Sequence, residues 1–282
     1  MAAPASAASV ASVASTYLFV PANRPDRYAK ALDSGADAAI VDLEDAVAPS
    51  LKEEARATLT QWLRDNGAQP RLWVRVNAAD TPWHVDDVAA LAGLEIAGVV
   101  LPKAEDAQVV SAIAARQTSW RVIALIETAA GIAAMRDIAR ADGLLRMAFG
   151  SIDLQVDLGM QCDATESELT HLRVEMVLAS RLAGIAPPID GVTTSFDDIA
   201  FLVAAVQRSL HLGFGAKLCI HPKQVAAVNE GFRPSEAELE WARAVMAAVA
   251  RSDGGAISLA GKMIDKPVIL QAQRFLQRGG LV

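Results

Sequence analysis

Three acidic side chains and one arginine carry the sharpest chemistry in this sequence: Glu44, Glu127, Asp153 and Arg75. Each comes at or just after a short apolar run, where a strand would end. Glu127 and Asp153 offer only oxygen. That suits a hard divalent cation, Mg²⁺ or Mn²⁺, with positions left for water and substrate oxygens, and no His/Cys cluster points to zinc. Arg75 presents a planar fork that takes a carboxylate or an oxyanion through two hydrogen bonds. Glu44 and its neighbour Asp45 are expected to hold metal-bound waters or to orient Arg75, because a third anionic ligand would overcharge a site meant for an anion. The same residues also admit a purely structural reading, in which each carboxylate caps a helix or pairs with a nearby cation and Arg75 pairs with Glu44 or Asp45. Lys103 could in principle form an imine, but beside a metal a second electron sink is redundant, and an ion pair with the acidic cluster is the alternative. His221 reads as a hydrogen-bonding brace, and His84, His171 and His211 have no visible partners.

These side chains must be brought together by recurring elements. From Thr16 onward, short apolar or β-branched runs alternate with longer Ala/Leu-rich stretches of helical spacing. The runs are Tyr17–Val20, Ala39–Leu43, Leu72–Val76, Gly98–Leu101, Val122–Ile126, Arg146–Phe149, Pro188–Val192 and Lys217–Ile220. Most follow one another at the spacing of a single βα unit, and the longer interval between Phe149 and Pro188 has room for an extra loop and helix. Eight such units predict an α/β chain folded as a closed (β/α)8 TIM barrel. An open dinucleotide-binding sheet is disfavoured, since no GxGxxG follows the first run. Residues just past the carboxyl ends of barrel strands converge on one mouth, which adds Asn23, Arg24, Asn77, Ser151, Thr193, Thr194 and Lys223 to the list. Glu127 and Asp153 would then stand on adjacent strands about 4.8 Å apart and could reach one cation together.

The expected boundaries are a disordered tail over 1–15, the barrel over 16–232 and a C-terminal helical extension over 233–282. The tail is Ala/Ser/Val-rich without a basic start, which argues against a signal peptide. The extension contains a helical stretch from Pro234 to Arg251, the Gly-punctuated Ser252-Asp-Gly-Gly255 and Gly261-Lys-Met-Ile-Asp265, and a final amphipathic helix. It can be simple packing or a lid over a site at the barrel mouth. With 26 Lys and Arg against 33 Asp and Glu, the net charge of −7 lacks the basic footprint that nucleic acid requires. A 52% hydrophobic composition supports a sizeable core and excludes disorder over most of the chain. Cys162 and Cys219 form no CxxC and suggest neither a disulfide framework nor a thiolate zinc site. No apolar stretch approaches the roughly 18 residues of a membrane span. A reducing cytoplasmic setting is the expectation.

Six motifs in order, each at a predicted strand end, resemble the citrate lyase β-subunit-like proteins, related to malyl-CoA and citramalyl-CoA lyases within the HpcH/HpaI aldolase superfamily. They are Asp42-Leu-Glu-Asp-Ala-Val-Ala-Pro49 with Lys52 and Arg56, Arg75-Val-Asn77, Leu101-Pro-Lys103, Ile126-Glu-Thr-Ala-Ala-Gly131, Phe149-Gly-Ser-Ile-Asp-Leu154 continuing to Asp157-Leu-Gly159, and Ile220-His-Pro-Lys-Gln224. The resemblance covers about Tyr17 to Gln273. It implies that Glu127 and Asp153 ligate Mg²⁺, that Arg75 contacts the 2-oxo-acid part of the substrate with Glu44 in support, and that Gly150 and Ser151 line the same site. It further implies that Asp265, in a segment similar to the family's C-terminal lid, is the general acid/base at a neighbouring protomer's mouth. A homotrimer or hexamer would follow.

The activity implied is Mg²⁺-dependent cleavage, or Claisen-type formation, of a 3-hydroxyacyl-CoA such as citramalyl-, malyl- or citryl-CoA, giving an acyl-CoA and a 2-oxo acid. Two alternatives stand beside it: a metal-dependent aldolase on free hydroxy-oxo acids, and a citrate lyase subunit served by a carrier-protein thioester.

Overall fold

The structure is a computed structural model that describes residues 14–251, 257–259 and 262–281. The tail over 1–13, Ser252–Gly255 and Gly261 lie outside the described residues. Ser15, the end of the expected tail, is tied in, donating to Asp37 at 2.7 Å and accepting from the Lys217 amide at 2.9 Å.

The first unit, residues 14–229, alternates strand and helix. Its elements are β1 (Thr16–Pro21), α1 (Tyr28–Leu32), β2 (Ala38–Asp42), α2 (Lys52–Asn66), β3 (Gln69–Arg75), α3 (His84–Leu91), β4 (Ile96–Leu101) and α4 (Ala107–Arg116). They continue with β5 (Arg121–Ile126), α5 (Ala129–Ile138), β6 (Leu144–Phe149), α6 (Ser151–Leu158), α7 (Thr170–Ala183), β7 (Ile189–Asp190), α8 (Ile199–Leu212), β8 (Ala216–Cys219) and α9 (Pro222–Phe232). All eight strands are parallel, and β1 pairs with both β2 and β8, closing the barrel. The long β6–β7 interval holds the expected extra helix. The seventh strand is only two residues long, Ile189 pairing with Ala148 of β6 and Ile189 and Asp190 pairing with Ala216 and Lys217 of β8.

Strand side chains alternate in direction, so one set fills the barrel and the other packs beneath the helices. Ile40, Trp73, Val100, Ile123, Leu125, Ala148, Ile189 and Leu218 form the buried interior cluster. Residues of the opposite parity, such as Val41, Val74, Val99 and Ala124, are equally buried. Two-sided burial explains why the strands read as continuous apolar runs. The fully buried Arg146 donates to the Ala14 carbonyl at 2.8 Å and to the Pro187 carbonyl, and lies beside the Tyr17 ring.

The second unit runs from Glu230 onward. Helix α10 (Glu236–Ala250) opens with a capping box between Ser235 and Glu238. A two-stranded antiparallel sheet, β9 (Ile257–Leu259) with β10 (Lys262–Ile264), leads to α11 (Lys266–Arg278). Its core joins Ala242, Val245, Ile264, Ala272 and Leu276, and the Trp241 and Phe275 rings meet edge to face. Among the described residues, no helix is long and apolar enough to cross a membrane.

Candidate active site

The inward parity of the interior cluster runs past the last apolar residue of each strand and delivers polar groups. Ile40 is followed by Asp42 and Glu44, Trp73 by Arg75, and Leu125 by Glu127. Asp42 and Arg75 are register partners on β2 and β3. Arg75 donates from Nε and Nη2 to the two Asp42 oxygens, both at 2.7 Å. Its Nη1 lies 3.0 Å from Glu44 Oε2, Asp45 lies 3.7 Å from Nη2, and the guanidinium sits 4.8 Å from the Phe19 ring centre. Arg75 is therefore buried, paired and fixed in plane before any ligand arrives. Burial opposes its charge, but the Asp42 and Glu44 carboxylates outweigh that and hold it protonated beyond an ordinary arginine.

Two devices fold the turn that carries Glu44. The Asp42 carboxylate accepts from the amides of Glu44 at 2.9 Å and Ala46 at 3.0 Å. The buried Lys52 ammonium donates to the carbonyls of Leu43 at 2.7 Å and Glu44 at 2.6 Å. The Asp42–Pro49 motif with its following lysine is thus a hydrogen-bonded cradle for one glutamate.

Lys103 grips the site with both its main chain and its side chain. Its amide donates to Glu127 Oε1 at 2.9 Å, and its ammonium donates to Glu44 Oε1 at 2.7 Å. The backbone there is left-handed, φ +44°, an unfavourable state for a residue with a Cβ. Burial works against the ammonium, yet the bond to Glu44 and the surrounding carboxylates raise its pKa. A lysine held charged is a poor imine nucleophile. Lys103→Met should keep the amide bond to Glu127 and lower kcat/KM by roughly 10- to 100-fold, as loss of a supporting partner does. Borohydride added with substrate should leave Lys103 unmodified by mass spectrometry, and a trapped adduct would restore the imine.

Glu127 follows β5 and is only 2% exposed. Burial, then the charge of Glu44, push its carboxyl up to about 8 against the Lys103 amide, and Asp153 pushes the same way. Asp153 is half-buried in the first turn of α6. Gly150 makes room for Glu127: a Cβ there would fall 2.4 Å from Glu127 Cβ and 2.6 Å from Oε2. Gly150→Ala should therefore displace the carboxylate and weaken divalent-cation binding by about tenfold or more, read by calorimetric titration of Mg²⁺. Affinity equal to wild type would mean the glycine is there for the backbone alone.

The rest of the Glu127 motif is mechanical. Thr128 caps α5 by accepting from the Gly131 amide at 3.0 Å, and a Cβ on Gly131 would lie 2.7 Å from the Ala104 carbonyl. Asp157 accepts from the Ala129 amide at 2.7 Å, tying α6 to the start of α5.

Arg75, Glu44, Lys103 and Glu127 are thus linked directly, with Asp153 close enough for its charge to act on Glu127. Other strand-end residues are engaged elsewhere. The Asn77 amide groups donate to Asp87, and the Asn77 carbonyl bonds Nδ1 of the buried His84, so His84 has a partner that its sequence context did not reveal. Arg24 pairs with Asp26, and Lys223 with Asp197. Thr193 gives its carbonyl to Gln224, while Asn23 and Thr194 are exposed. The Ser151 hydroxyl, buried, donates to Glu166 at 2.9 Å. His221 accepts from the Lys223 amide at 3.2 Å and stacks on Phe196 at 4.8 Å, the contacts of a brace. In the second unit, Asp265 is exposed and caps α11, accepting from the Val268 amide at 3.1 Å.

Two residues stand outside the site candidates named from the sequence, although Asp42 opens the first family motif. Asp42 could have been found, because it shares parity with Glu44. Glu166 carries no sequence signal. Among the described residues, no group of three or more His, Cys, Asp or Glu could hold a metal. Cys162 and Cys219 are both free.

A closed (β/α)8 barrel gathers a buried arginine–carboxylate cluster at the carboxyl ends of its strands, the end at which barrel enzymes carry their chemistry. The profile of the HpcH/HpaI aldolase/citrate lyase family matches residues 15–222; the chain belongs to that family and is a lyase. It is 39% identical over 270 residues to a citrate lyase subunit beta-like protein of Mycobacterium tuberculosis, covering 94% of this chain and 95% of the relative. It is 35% identical to a (3S)-malyl-CoA thioesterase of Cereibacter sphaeroides, covering 93% of each. Among solved structures, the CitE protein of Mycobacterium tuberculosis in complex with magnesium, acetoacetate and coenzyme A superposes with a TM-score of 0.81 at 37% identity, covering 94% of this chain and 98% of that one.

Proposed function

We propose that this protein is a Mg²⁺-dependent carbon–carbon lyase for a 3-hydroxyacyl-CoA whose β-carbon also bears a carboxylate, such as malyl-, citramalyl- or citryl-CoA. The products are an acyl-CoA and a 2-oxo acid, and the reverse condensation uses the same groups. One observation carries the reading: the buried Glu127 carboxylate at the barrel mouth, joined through Lys103 and Glu44 to an arginine locked by Asp42.

Glu127 and Asp153 would hold the ion. The donors are all oxygen, Gly150 lets the Glu127 carboxylate approach where a Cβ would collide with it, and burial with the charge of Glu44 raises the Glu127 pKa, a cost that a bound cation would offset. Bound there, the cation supplies Lewis-acid stabilisation of the substrate's hydroxyl and carboxylate oxygens. Arg75 adds a second fixed positive charge beside the oxygen that becomes the 2-oxo carbonyl, and its clamp by Asp42 and Phe19 removes the cost of reorientation. Glu44, held between Arg75 and Lys103, accepts from the Lys103 ammonium and orients Arg75 through their ion pair. Gly150 and Ser151 line the 2-oxo-acid portion at the start of α6, where first-turn amides lack intrahelical partners. A neighbouring protomer's Asp265 takes the substrate hydroxyl proton, the carbon–carbon bond breaks toward the thioester, and protonation of the resulting enolate releases acyl-CoA.

The test is direct. Purified chain with malyl-, citramalyl- and citryl-CoA should yield acyl-CoA plus 2-oxo acid, with activity lost in EDTA and restored by Mg²⁺. Release of free CoA with the hydroxy acid intact would make it a thioester hydrolase, the activity named for the Cereibacter relative. Turnover of free hydroxy-oxo acids without CoA would make it an aldolase, and dependence on a carrier protein would make it a complex subunit. If Asp265 serves a neighbouring protomer in a trimer or hexamer, mixing inactive Asp265→Ala and Glu127→Ala chains should restore activity.

A further inference from the structure

We infer that Glu166 is a positioning residue for the cation site, acting through Ser151 on the helix turn that presents Asp153. The inference rests on the reading that Glu127 and Asp153 hold Mg²⁺.

Glu166 lies in the loop between α6 and α7, and its backbone is left-handed at φ +52° and ψ +40°. Glu166 and Lys103 are the two described non-glycine residues with positive φ, and Lys103 bonds both Glu44 and Glu127. A residue with a Cβ stays in that conformation only where its surroundings over-determine it. Here the side chain supplies the reason. Oε1 accepts from Ser151 Oγ at 2.9 Å and from Gln155 Nε2 at 3.4 Å, both on α6. Oε2 accepts from Arg173 on α7, whose Nη1 also donates to the Glu166 carbonyl at 3.4 Å.

Arg173 is a firm anchor. It is 1% exposed, its guanidinium lies 4.7 Å from the Phe149 ring centre, and its Nε donates at 2.9 Å to the fully buried Asp190 at the end of β7. Asp190 in turn accepts from Ser209 on α8 and lies 3.8 Å from the Lys217 ammonium on β8. A single carboxylate therefore joins the first turn of α6 to a buried charged chain that spans β7, β8 and two helices. The far end of α6 is held separately by Asp157 on the Ala129 amide. Asp153 lies between these two ties, two residues from Ser151. The proposed reaction gives Glu166 no chemical task, and its geometry is that of a strut.

The measurement is the Mg²⁺ dissociation constant of metal-free protein without substrate, by calorimetry, together with amide hydrogen exchange over residues 151–154. Glu166→Ala should weaken Mg²⁺ binding at least tenfold and speed exchange in that turn, while kcat at saturating Mg²⁺ stays near wild type. Glu166→Gln, which keeps an acceptor for Ser151, should fall between the two. A folded Glu166→Ala protein with wild-type affinity and exchange overturns the inference. Should that variant fail to fold, Ser151→Ala cuts the same tie while sparing the Glu166–Arg173 pair and must show the same weakening; wild-type affinity there overturns it equally. Glu127→Gln is the control: if it binds Mg²⁺ as well as wild type, the metal reading itself falls, and the strut with it.

Discussion

Glu127→Gln is expected to lower kcat/KM by on the order of 10³-fold and to abolish measurable Mg²⁺ binding. The amide keeps the size of the carboxylate and can still accept from the Lys103 amide, so the fold should survive. What it loses is the anionic oxygen beside Gly150. Because the wild-type carboxyl already sits at about 8, the substitution removes a group that a cation would draw into its charged form, and the metal-free variant should be no less stable than wild type. Steady-state kinetics and calorimetry on the same preparation read both effects. A variant within tenfold of wild type in activity and Mg²⁺ affinity would remove Glu127 from the chemistry.

The second large effect concerns stability. Asp190 is fully buried between Arg173 and Lys217, and accepts from Ser209 and the Gly191 amide. Burial alone would raise its pKa, but Lys217 and Arg173 outweigh that and hold it at about 2. Asp190→Asn removes the counter-charge shared by Arg173, which keeps Glu166, and Lys217, whose pKa burial already lowers, and breaking such a buried pair costs about 3–5 kcal/mol. For a chain of this size that is a fall in Tm of roughly 10 °C. The pH dependence has a definite sign. The folded pKa lies below the unfolded value of about 3.9, so this contribution is present above pH 4 and disappears as pH falls towards 2. Wild type should lose stability over that window, and the variant should lack that component. Melting within 2 °C of wild type at pH 7 would show that the cluster is solvated or otherwise compensated.

Much of this protein can be read along the chain. Apolar runs at βα spacing predict the closed barrel, because strands buried on both faces leave continuous hydrophobic signatures. Polar residues at or just after the ends of those runs predict Arg75, Glu44 and Glu127 at one mouth, because the carboxyl ends of barrel strands converge. The family motifs agree with that placement, and the structure explains several as mechanical parts, among them the Asp42 cradle, the Thr128 cap and the close approach at Gly131.

Pairing across the fold is another matter. That Arg75 is claimed by Asp42, that Asn77 turns to Asp87, that Gly150 is small for the sake of Glu127, and that Glu166 meets Ser151 and Arg173 are decided by register and by which way a loop closes. The length of the seventh strand belongs with them. One-dimensional periodicity reports which residues are buried, since burial is a property of each residue's environment class. It carries no record of which buried polar atom finds which partner, because that choice is settled by geometry between segments tens of residues apart.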